Sequence, residues 1–263
     1  MGTCRAVPFV VLVSLAGAVA YGQGRGGRGQ AAQPPQTAKA AAPIDLTGYW
    51  VSIVTEDWRY RMLTPPKGDY AGLPLNAEAR KIADTWDPAK DESSGEQCKG
   101  YGAASLMRLP GRLHITWQDD ETLKIESDSG TQTRLFSFGA PKGEGGDWQG
   151  VSKATWEFLP AAIISTDGGR TSRGAADRSG GSLKVVTTKL KPGYLRKNGV
   201  PYSANTTVTE YFDRVNEPNG DSYLIIAATV EDPTYLNQPY LTSVHYKKQP
   251  DASGWNPTPC SAK

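Results

Sequence analysis

Two histidines, His114 and His245, are the side chains best suited to proton transfer near neutral pH. Each lies in a stretch where every second residue is apolar, a pattern typical of a β-strand with one buried face. If the polar face of the strand at Arg112–Gln118 lined a cavity, His114 would be a candidate general base. If the apolar face formed the core instead, both imidazoles would face solvent or a barrel mouth, which is ordinary for strand histidines.

Glu157 is the carboxylate with the most suggestive position, because it directly follows Trp156. A carboxylate against a large aromatic surface has a raised pKa and can exchange a proton near neutral pH. In an enzyme, His114 or Glu157 would be the catalytic base, and an arginine would stabilise the developing oxyanion. The alternative is a strand-end glutamate that forms an ion pair with an arginine.

A second group of residues predicts the binding of a small molecule. From residue 57 to residue 62, aromatic or apolar side chains alternate with arginines, which indicates a long strand over residues 52–62. Aromatic walls with a few polar groups are typical of sites for small organic ligands. The predicted ligand contacts are Trp58, Arg59, Tyr60, Arg61 and Trp117, with His114 and Glu157 as further polar groups.

No catalytic or cofactor motif accompanies these residues. The sequence lacks a nucleophile elbow, a phosphate-binding loop and a metalloprotease helix. The acidic run Asp119-Asp120-Glu121 lacks the spaced oxygen ligands of a calcium loop, so it predicts a solvated turn. We therefore expect neither a cofactor nor a bound metal ion.

The N-terminal residues have the composition of a secretory signal peptide. Residues 1–20 combine an early positive charge with an apolar run and the small residues Ala18-Val19-Ala20. Residues 21–43 are rich in Gly, Gln, Ala and Pro, which predicts a disordered tether. A single folded domain is expected at residues 44–263, in a periplasmic or secreted protein that is soluble and has no integral membrane segment.

Export changes the interpretation of the three cysteines. Cys4 would leave with the signal peptide, so Cys98 and Cys260 remain, and a pair in an exported protein predicts one disulfide. Two free thiols or metal ligands are the alternative, but no neighbouring Cys or His completes a zinc ligand set.

Charge argues against nucleic acid as a partner. The whole chain has a formal net charge of +2, but four of its 29 basic residues and none of its 27 acidic residues precede Ile44. The domain that follows therefore has 25 basic and 27 acidic residues, a net charge of −2. It offers no basic footprint for nucleic acid or an anionic membrane. The sequence leaves the oligomeric state open.

Short alternating segments between residues 111 and 248 predict the fold. The predicted strands cover residues 112–118, 122–127, 131–138, 150–158, 182–190, 206–215, 222–230 and 241–248. One short helix, capped by Asn76 and running from Ala77 to Trp86, precedes them. Asn219-Gly220 predicts a tight hairpin. The fold class is therefore all-β, a single antiparallel β-barrel or strongly curled sheet with one short helix near the N-terminus.

Motifs in the C-terminal half resemble those of a large group of exported bacterial β-proteins. Trp148-Gln149-Gly150-Val151-Ser152 followed by Trp156-Glu157 has the form W-x-G-x-S-x(3)-W-E. The motifs that follow in the same order are Leu183–Thr188, Gly199–Ser203, Thr209–Arg214 and Val230–Pro233. This chain reads Trp156-Glu157-Phe158-Leu159 where the group has W-E-G-D-T-L-V-V, and it inserts a loop before Leu183. The resemblance implies a secreted, barrel-like fold and brings no established activity.

The first strand is similar to that of lipocalin-type barrels, because Gly48-Tyr49-Trp50 has their G-x-W form. This resemblance implies a lipocalin-like barrel in which Trp50 closes one end. It also implies an arginine from a late strand packed on that ring, for which Arg214 is the candidate.

Three functional hypotheses follow from these observations. The first is an exported β-barrel protein that binds a small organic ligand, which the abundance of Trp and Tyr favours. The second is a cofactor-free acid–base enzyme on the same scaffold, an isomerase, lyase or hydratase. The third is an envelope protein-interaction module held by the tether.

Overall fold

A computed structural model describes residues 1–2, 36–158 and 180–263 of the chain. The chain divides into two compact units, Met1–Pro35 and Gln36–Lys263, and the fold given below is that of the second unit. The predicted signal peptide beyond Gly2 and the predicted tether up to residue 35 lie outside the described residues. Within the described ranges, every helix falls short of the length and hydrophobicity that a membrane crossing demands.

The second unit is built mainly from β-strands. Its strands are β1 Gly48–Ile53, β2 Arg112–Asp119, β3 Thr122–Ser127, β4 Gln132–Ser137, β5 Val151–Phe158, β6 Gly181–Thr188, β7 Gly193–Arg196, β8 Val200–Tyr202, β9 Thr207–Asn216, β10 Ser222–Glu231 and β11 Tyr240–Gln249. Its helices are α1 Trp58–Arg61, α2 Ala77–Ala83, α3 Pro88–Ser93 and two 3₁₀ helices, Gln97–Tyr101 and Leu106–Arg108.

Nine of the strands form a closed barrel in the order β1-β11-β10-β9-β6-β5-β4-β3-β2, so that β1 pairs with both β11 and β2. Neighbouring strands are antiparallel except β4 and β5, which run parallel. The prediction of an all-β barrel is thus confirmed, and every strand predicted after residue 111 is present. The likeness to lipocalins stays a prediction, since lipocalin barrels have eight strands.

Inward-facing side chains fill the barrel, which is why the alternating pattern located the strands. Leu113 and Ile115 of β2 and Leu224 and Ile226 of β10 are all buried and belong to one core cluster. The gap beside Glu210 measures only about 10 Å³, too small for an organic ligand. The middle of the barrel is therefore a packed core, not a ligand cavity.

A buried ion pair crosses this core. Arg134 of β4 donates through Nη1 and Nη2 to the two carboxylate oxygens of Glu210 on β9, at 2.9 and 2.6 Å. The two side chains are 0% and 1% exposed. Thr187 accepts a further hydrogen bond from Arg134 Nη2 at 3.1 Å and contacts the Ser152 hydroxyl at 2.8 Å. The bidentate geometry satisfies most of the polar atoms that burial would otherwise leave without water.

The barrel has two different ends. At the first, which we call the helical end, β1 finishes and β2 begins, and the chain adds its helices and the β7–β8 hairpin there. Met107 of the second 3₁₀ helix joins the barrel core, and its carbonyl accepts a hydrogen bond from Tyr246 at 2.8 Å. The helical end is thus closed by inserted side chains, and its clefts lie outside the strands.

The opposite end, which we call the aromatic end, is closed by a cluster of Trp117, Phe138 and Trp156. Residues 36–43, assigned above to the tether, are ordered here. Ala38 is buried, and its carbonyl accepts a hydrogen bond from Trp156 Nε1 at 2.8 Å. The backbone of Lys39 donates to Asp120 at 3.0 Å. Composition alone predicted disorder because these contacts use backbone groups and one small side chain.

The predicted strand over residues 52–62 is wrong in its second half. β1 ends at Ile53, and Trp58–Arg61 form a single helical turn. Asp57 precedes this turn with a positive φ of 50°, a conformation that aspartate tolerates better than most residues. The alternating pattern does not mark a strand here, because residues 58–62 pair with no neighbour in the barrel.

The predicted helix begins at Ala77, and Asn76 caps it by accepting a hydrogen bond from Ala79 N at 2.9 Å. It ends at Ala83, three residues before the predicted end. Asp87-Pro88 was predicted to end this helix, but it begins the next one, α3. Asp87 caps this helix, and Pro88 occupies its first turn, where no backbone N–H is needed.

Trp50 is fully buried, and its Nε1 donates to the Leu46 carbonyl at 2.9 Å. The cation over its ring is Lys248, with Nζ 5.1 Å from the ring centroid. Arg214 instead donates to the Asp45 carbonyl at 2.7 Å. The role expected for Arg214 therefore belongs to Lys248, because β11 is the direct neighbour of β1.

The predicted disulfide between Cys98 and Cys260 is confirmed. It links residues 162 positions apart, with their Cα atoms 5.1 Å from each other. The bond attaches the C-terminal segment to the first 3₁₀ helix at the helical end. There the Tyr101 hydroxyl also accepts a hydrogen bond from Ser261 N at 3.2 Å.

The buried ion pair gives a stability prediction. Arg134→Ala should lower the free energy of unfolding by about 3–5 kcal/mol, because Glu210 would remain charged in the core without a partner. Urea denaturation followed by tryptophan fluorescence measures this change. Lys184→Ala, which removes the partner of Glu157 on the surface, is the control and should have a much smaller effect. Equal losses in the two variants would contradict the argument.

Candidate functional site

The structure places His114 on the outer face of the barrel. Its ring stacks on Tyr49 at 4.1 Å, and its Nδ1 lies 3.2 Å from the Glu126 carboxylate on β3. Leu113 and Ile115, on the opposite face of β2, are the buried residues. His245 is also outside the core, with Nδ1 3.4 Å from Glu56. The apolar face of each strand therefore forms the core, and both histidine side chains lie on the opposite, outer face.

Glu157 also lies on the outer face. Its carboxylate is 3.1 Å from Lys184 on the neighbouring strand β6. The Trp156 ring points instead into the aromatic end, so it does not cover the carboxylate. His114 and Glu157 are therefore not brought together, because β3 and β4 separate their strands. The role of either residue as a catalytic base stays a prediction, and its position on the outer face does not favour that role.

The five predicted ligand contacts divide into three groups. Trp117 belongs to the aromatic end, with ring centroids 5.6 Å from Phe138 and 6.5 Å from Trp156. Trp58 is 63% exposed, and Arg59 forms an exposed ion pair with Asp69 at 2.8 Å. Tyr60 and Arg61, by contrast, line a cleft of about 590 Å³ at the helical end.

The main walls of this cleft come from three parts of the chain, and Ser129 and Lys263 complete its lining. The first is α1 with the segment after it, the second is the stretch that contains both 3₁₀ helices, and the third is β7. We call it the arginine cleft. It is lined by Tyr60, Arg61, Met62, Leu63, Thr64, Pro65, Gly100, Tyr101, Ser105, Arg108, Leu109, Pro110, Ser129, Leu195, Arg196, Lys197 and Lys263.

Arg61 is the most deeply buried cation of the cleft, with a side chain that is 1% exposed. Its Nε donates to the Arg108 carbonyl at 2.8 Å, and its Nη1 forms a short ion pair with Glu56. Its Nη2 is buried and has no hydrogen-bond partner within the described residues. Burial lowers the pKa of Arg61, because removing a guanidinium from water disfavours its charge.

Arg196 enters the cleft from β7. Its Nη1 and Nη2 both donate to the Ala71 carbonyl at 3.1 Å, and its guanidinium lies 4.3 Å from the centroid of the Tyr60 ring. In the part of the chain that is described, no carboxylate forms a salt bridge with it. Burial, and to a smaller extent the positive charge of Arg108, lowers the pKa of Arg196.

Arg108 and Lys197 complete the positive lining. Arg108 Nη2 lies 3.0 Å from the Asp57 carboxylate, and its guanidinium lies 5.7 Å from the Tyr240 ring. Lys197 Nζ donates to the Tyr101 hydroxyl at 3.1 Å and to the main-chain oxygen of Lys263. These four cations and the fifth basic side chain of the lining, Lys263, thus converge on one cleft, although they come from distant parts of the sequence.

A second, smaller cavity of about 280 Å³ lies between α3 and the β7–β8 hairpin. Its lining balances two lysines, Lys90 and Lys99, with two aspartates, Asp87 and Asp91. Lys99 lies 3.1 Å from Asp91, and Tyr194 donates to Asp91 at 2.9 Å. Burial and this hydrogen bond raise the pKa of Tyr194 to about 12. The cavity therefore lacks the unmatched charge that distinguishes the arginine cleft.

The side chains of the arginine cleft are suited to binding an anion. Guanidinium and ammonium groups recognise oxyanions, and the tyrosines offer aromatic faces. No lining side chain is a histidine, cysteine or carboxylate that could accept a proton. Across the described residues, no cluster of His, Cys, Asp or Glu is suited to hold a metal ion.

Sequence reasoning found Tyr60 and Arg61 but missed Arg108, Arg196 and Lys197. The first two were noticed through an alternation that was interpreted as a strand, although they belong to a helical turn. The other three lie beside segments interpreted as loops, where no periodicity distinguishes one basic residue from another. Only the fold brings these basic residues together.

Comparisons with models of protein families, with curated proteins and with solved structures find no significant match to this chain.

The position of Trp117 gives a prediction that separates a structural from a ligand-binding role. Trp117→Ala should lower the free energy of unfolding by about 2–3 kcal/mol, because the ring packs in the cluster that closes the aromatic end. Thermal and urea denaturation measure the loss. Trp58→Ala removes a ring of the same size from an exposed site and should leave stability nearly unchanged. Comparable losses would show that Trp117 does not close the barrel.

Proposed function

We propose that this chain is a small-molecule-binding β-barrel protein that holds an organic ligand in the arginine cleft at its helical end. One observation carries the proposal, the convergence of buried cations on a cleft of about 590 Å³. That volume is typical of small-molecule sites, which combine apolar walls with a few oriented polar groups. The ligand site then lies outside the packed interior.

The proposal includes export to the periplasm or beyond. The Cys98–Cys260 disulfide supports it, because such bonds persist in oxidising compartments. The signal-peptide composition of residues 1–20 supports it as well. The resemblance to exported bacterial β-proteins is consistent with the same location.

The geometry gives less support to the acid–base enzyme. His114 and Glu157 are engaged in surface ion pairs on separate strands, away from the arginine cleft. An acid–base reaction needs a proton-transfer group within hydrogen-bond reach of the substrate. A ligand in the cleft would meet arginines, two lysines and tyrosines instead.

Native mass spectrometry of the exported protein, purified with its disulfide formed, tests this proposal. We expect extra mass that denaturation releases as a small organic compound. Tyr60→Ala should reduce the retained fraction by about tenfold, because it removes an aromatic wall of the cleft. Tyr223→Ala is the matched control, since this tyrosine lies on the outer face of β10 near Lys247. Bare protein mass, or equal retention in both variants, would contradict the site.

A further inference from the structure

We propose that the ligand of the arginine cleft is an amphipathic organic anion, with a carboxylate or phosphate head on the arginines and an apolar body along the cleft rim. This inference rests on the proposed function and adds the chemical class of the ligand. A carboxylate is planar and a phosphate is tetrahedral, but each presents two oxygens that a guanidinium can bind through two parallel hydrogen bonds.

The charge balance of the cleft supports an anion. Among the described residues, five basic side chains line it, those of Arg61, Arg108, Arg196, Lys197 and Lys263, and no acidic side chain does. Arg61 and Arg108 have carboxylate partners, Glu56 and Asp57, just outside the lining. Arg196 has none among the salt bridges of the described chain, whereas Lys197 donates to the main-chain oxygen of Lys263, the last residue of the sequence. The positive charge of Arg196 is thus left without a carboxylate partner at the site. An anionic ligand would supply the missing negative charge.

The hydrogen-bonding capacity of the cleft supports the same conclusion. Arg61 Nη2 is buried without an acceptor, and an unsatisfied buried donor is costly, more so when it is charged. The two Nη atoms of Arg196 share a single acceptor, the Ala71 carbonyl. An oxyanion provides several lone pairs and would give the Arg196 guanidinium, which lines the cleft, the further acceptors that the protein does not supply.

Electrostatic repulsion among the three arginines also supports an anionic ligand. The charge of Arg108 lowers the pKa of both Arg61 and Arg196, so it is close enough to repel the two other guanidiniums. Like charges held together in a partly buried site are unfavourable until a counter-charge is present. An oxyanion bound among them would convert this repulsion into attraction.

The rim of the cleft explains why the ligand needs an apolar body. Met62 and Leu63 line the cleft and are 56% and 73% exposed, while Leu195 contributes buried apolar surface. Large apolar side chains exposed beside a pocket are typical of ligand-binding surfaces. A small inorganic anion would leave this surface uncovered, whereas an alkyl or aryl group would bury it.

Isothermal titration calorimetry with three matched probes tests the inference. The probes are octanoate, octyl phosphate and the neutral octanamide, titrated into full-length exported protein that has been stripped of co-purified ligand. We expect octanoate or octyl phosphate to bind at least about tenfold more tightly than octanamide, because the amide cannot form charge-assisted bonds with the arginines. The relative affinities of the two anions show which head group the cleft prefers.

A charge-removing variant locates the binding. Arg196→Gln should weaken binding of the preferred anion by about 10- to 100-fold. Arg196 is suited to this test because it has no carboxylate partner that its removal would leave unpaired. Arg214→Gln, at the aromatic end, is the control and should bind as the unaltered chain does. If Arg196→Gln folds poorly, Lys197→Gln is the second variant, and we expect it to lower the affinity for the anion by a smaller factor.

The failures of the two proposals are distinguishable. Octanamide binding as tightly as the anions, or a neutral compound released in the mass spectrometry experiment, would overturn the anionic ligand and leave the binding function intact. Equal affinities of Arg196→Gln and Arg214→Gln would overturn the site. No binding of any probe, together with bare protein mass, would overturn the binding function as well.

Discussion

Closure of the barrel is the constraint on which the rest of the structure depends. Among the described residues before position 112, β1 is the only strand, and it must hydrogen-bond to β11 on one side and β2 on the other. Without it, β2 and β11 would be the exposed edges of an open sheet, which invite pairing with other chains. Trp50, at the centre of β1, contributes the bulk that the closed core needs. β1 thus completes the hydrogen bonding of β11, the last strand, and the packing of the barrel core.

A closed and filled barrel determines where a ligand can be held. Nine strands surround too little space for both a complete set of inward side chains and a guest molecule, and here the side chains occupy it. Even the polar residues at its centre, Arg134 and Glu210, bind each other. Under the proposed binding function, recognition therefore falls to segments between strands, as in many β-proteins whose loops carry function on a rigid scaffold. Those segments collect at the helical end.

The sequence allowed the scaffold to be predicted much better than the site. Strands such as β2 and β10 were located because inward and outward positions alternate on a half-buried surface, which is a local property of the chain. The segment with Trp58 and Arg61 has the same alternation without neighbouring strands, so its prediction failed. α3 was missed because Pro88 can end one helix or begin another. The arginine cleft depends on contacts between residues far apart in sequence, and no local pattern records them.

The position of Cys260 has a consequence for the order in which the molecule is completed. This cysteine follows all described strands in the chain, and its disulfide fixes the segment next to Tyr101 and Lys197 in the cleft wall. The chain is synthesised from its N-terminus, so Cys98 is present long before Cys260 can form the disulfide with it. The cleft wall of a growing chain is therefore incomplete. It is completed only after the last strand has been synthesised and the Cys98–Cys260 disulfide has formed. Under the proposed binding function, ligand capture would therefore be restricted to the completed molecule.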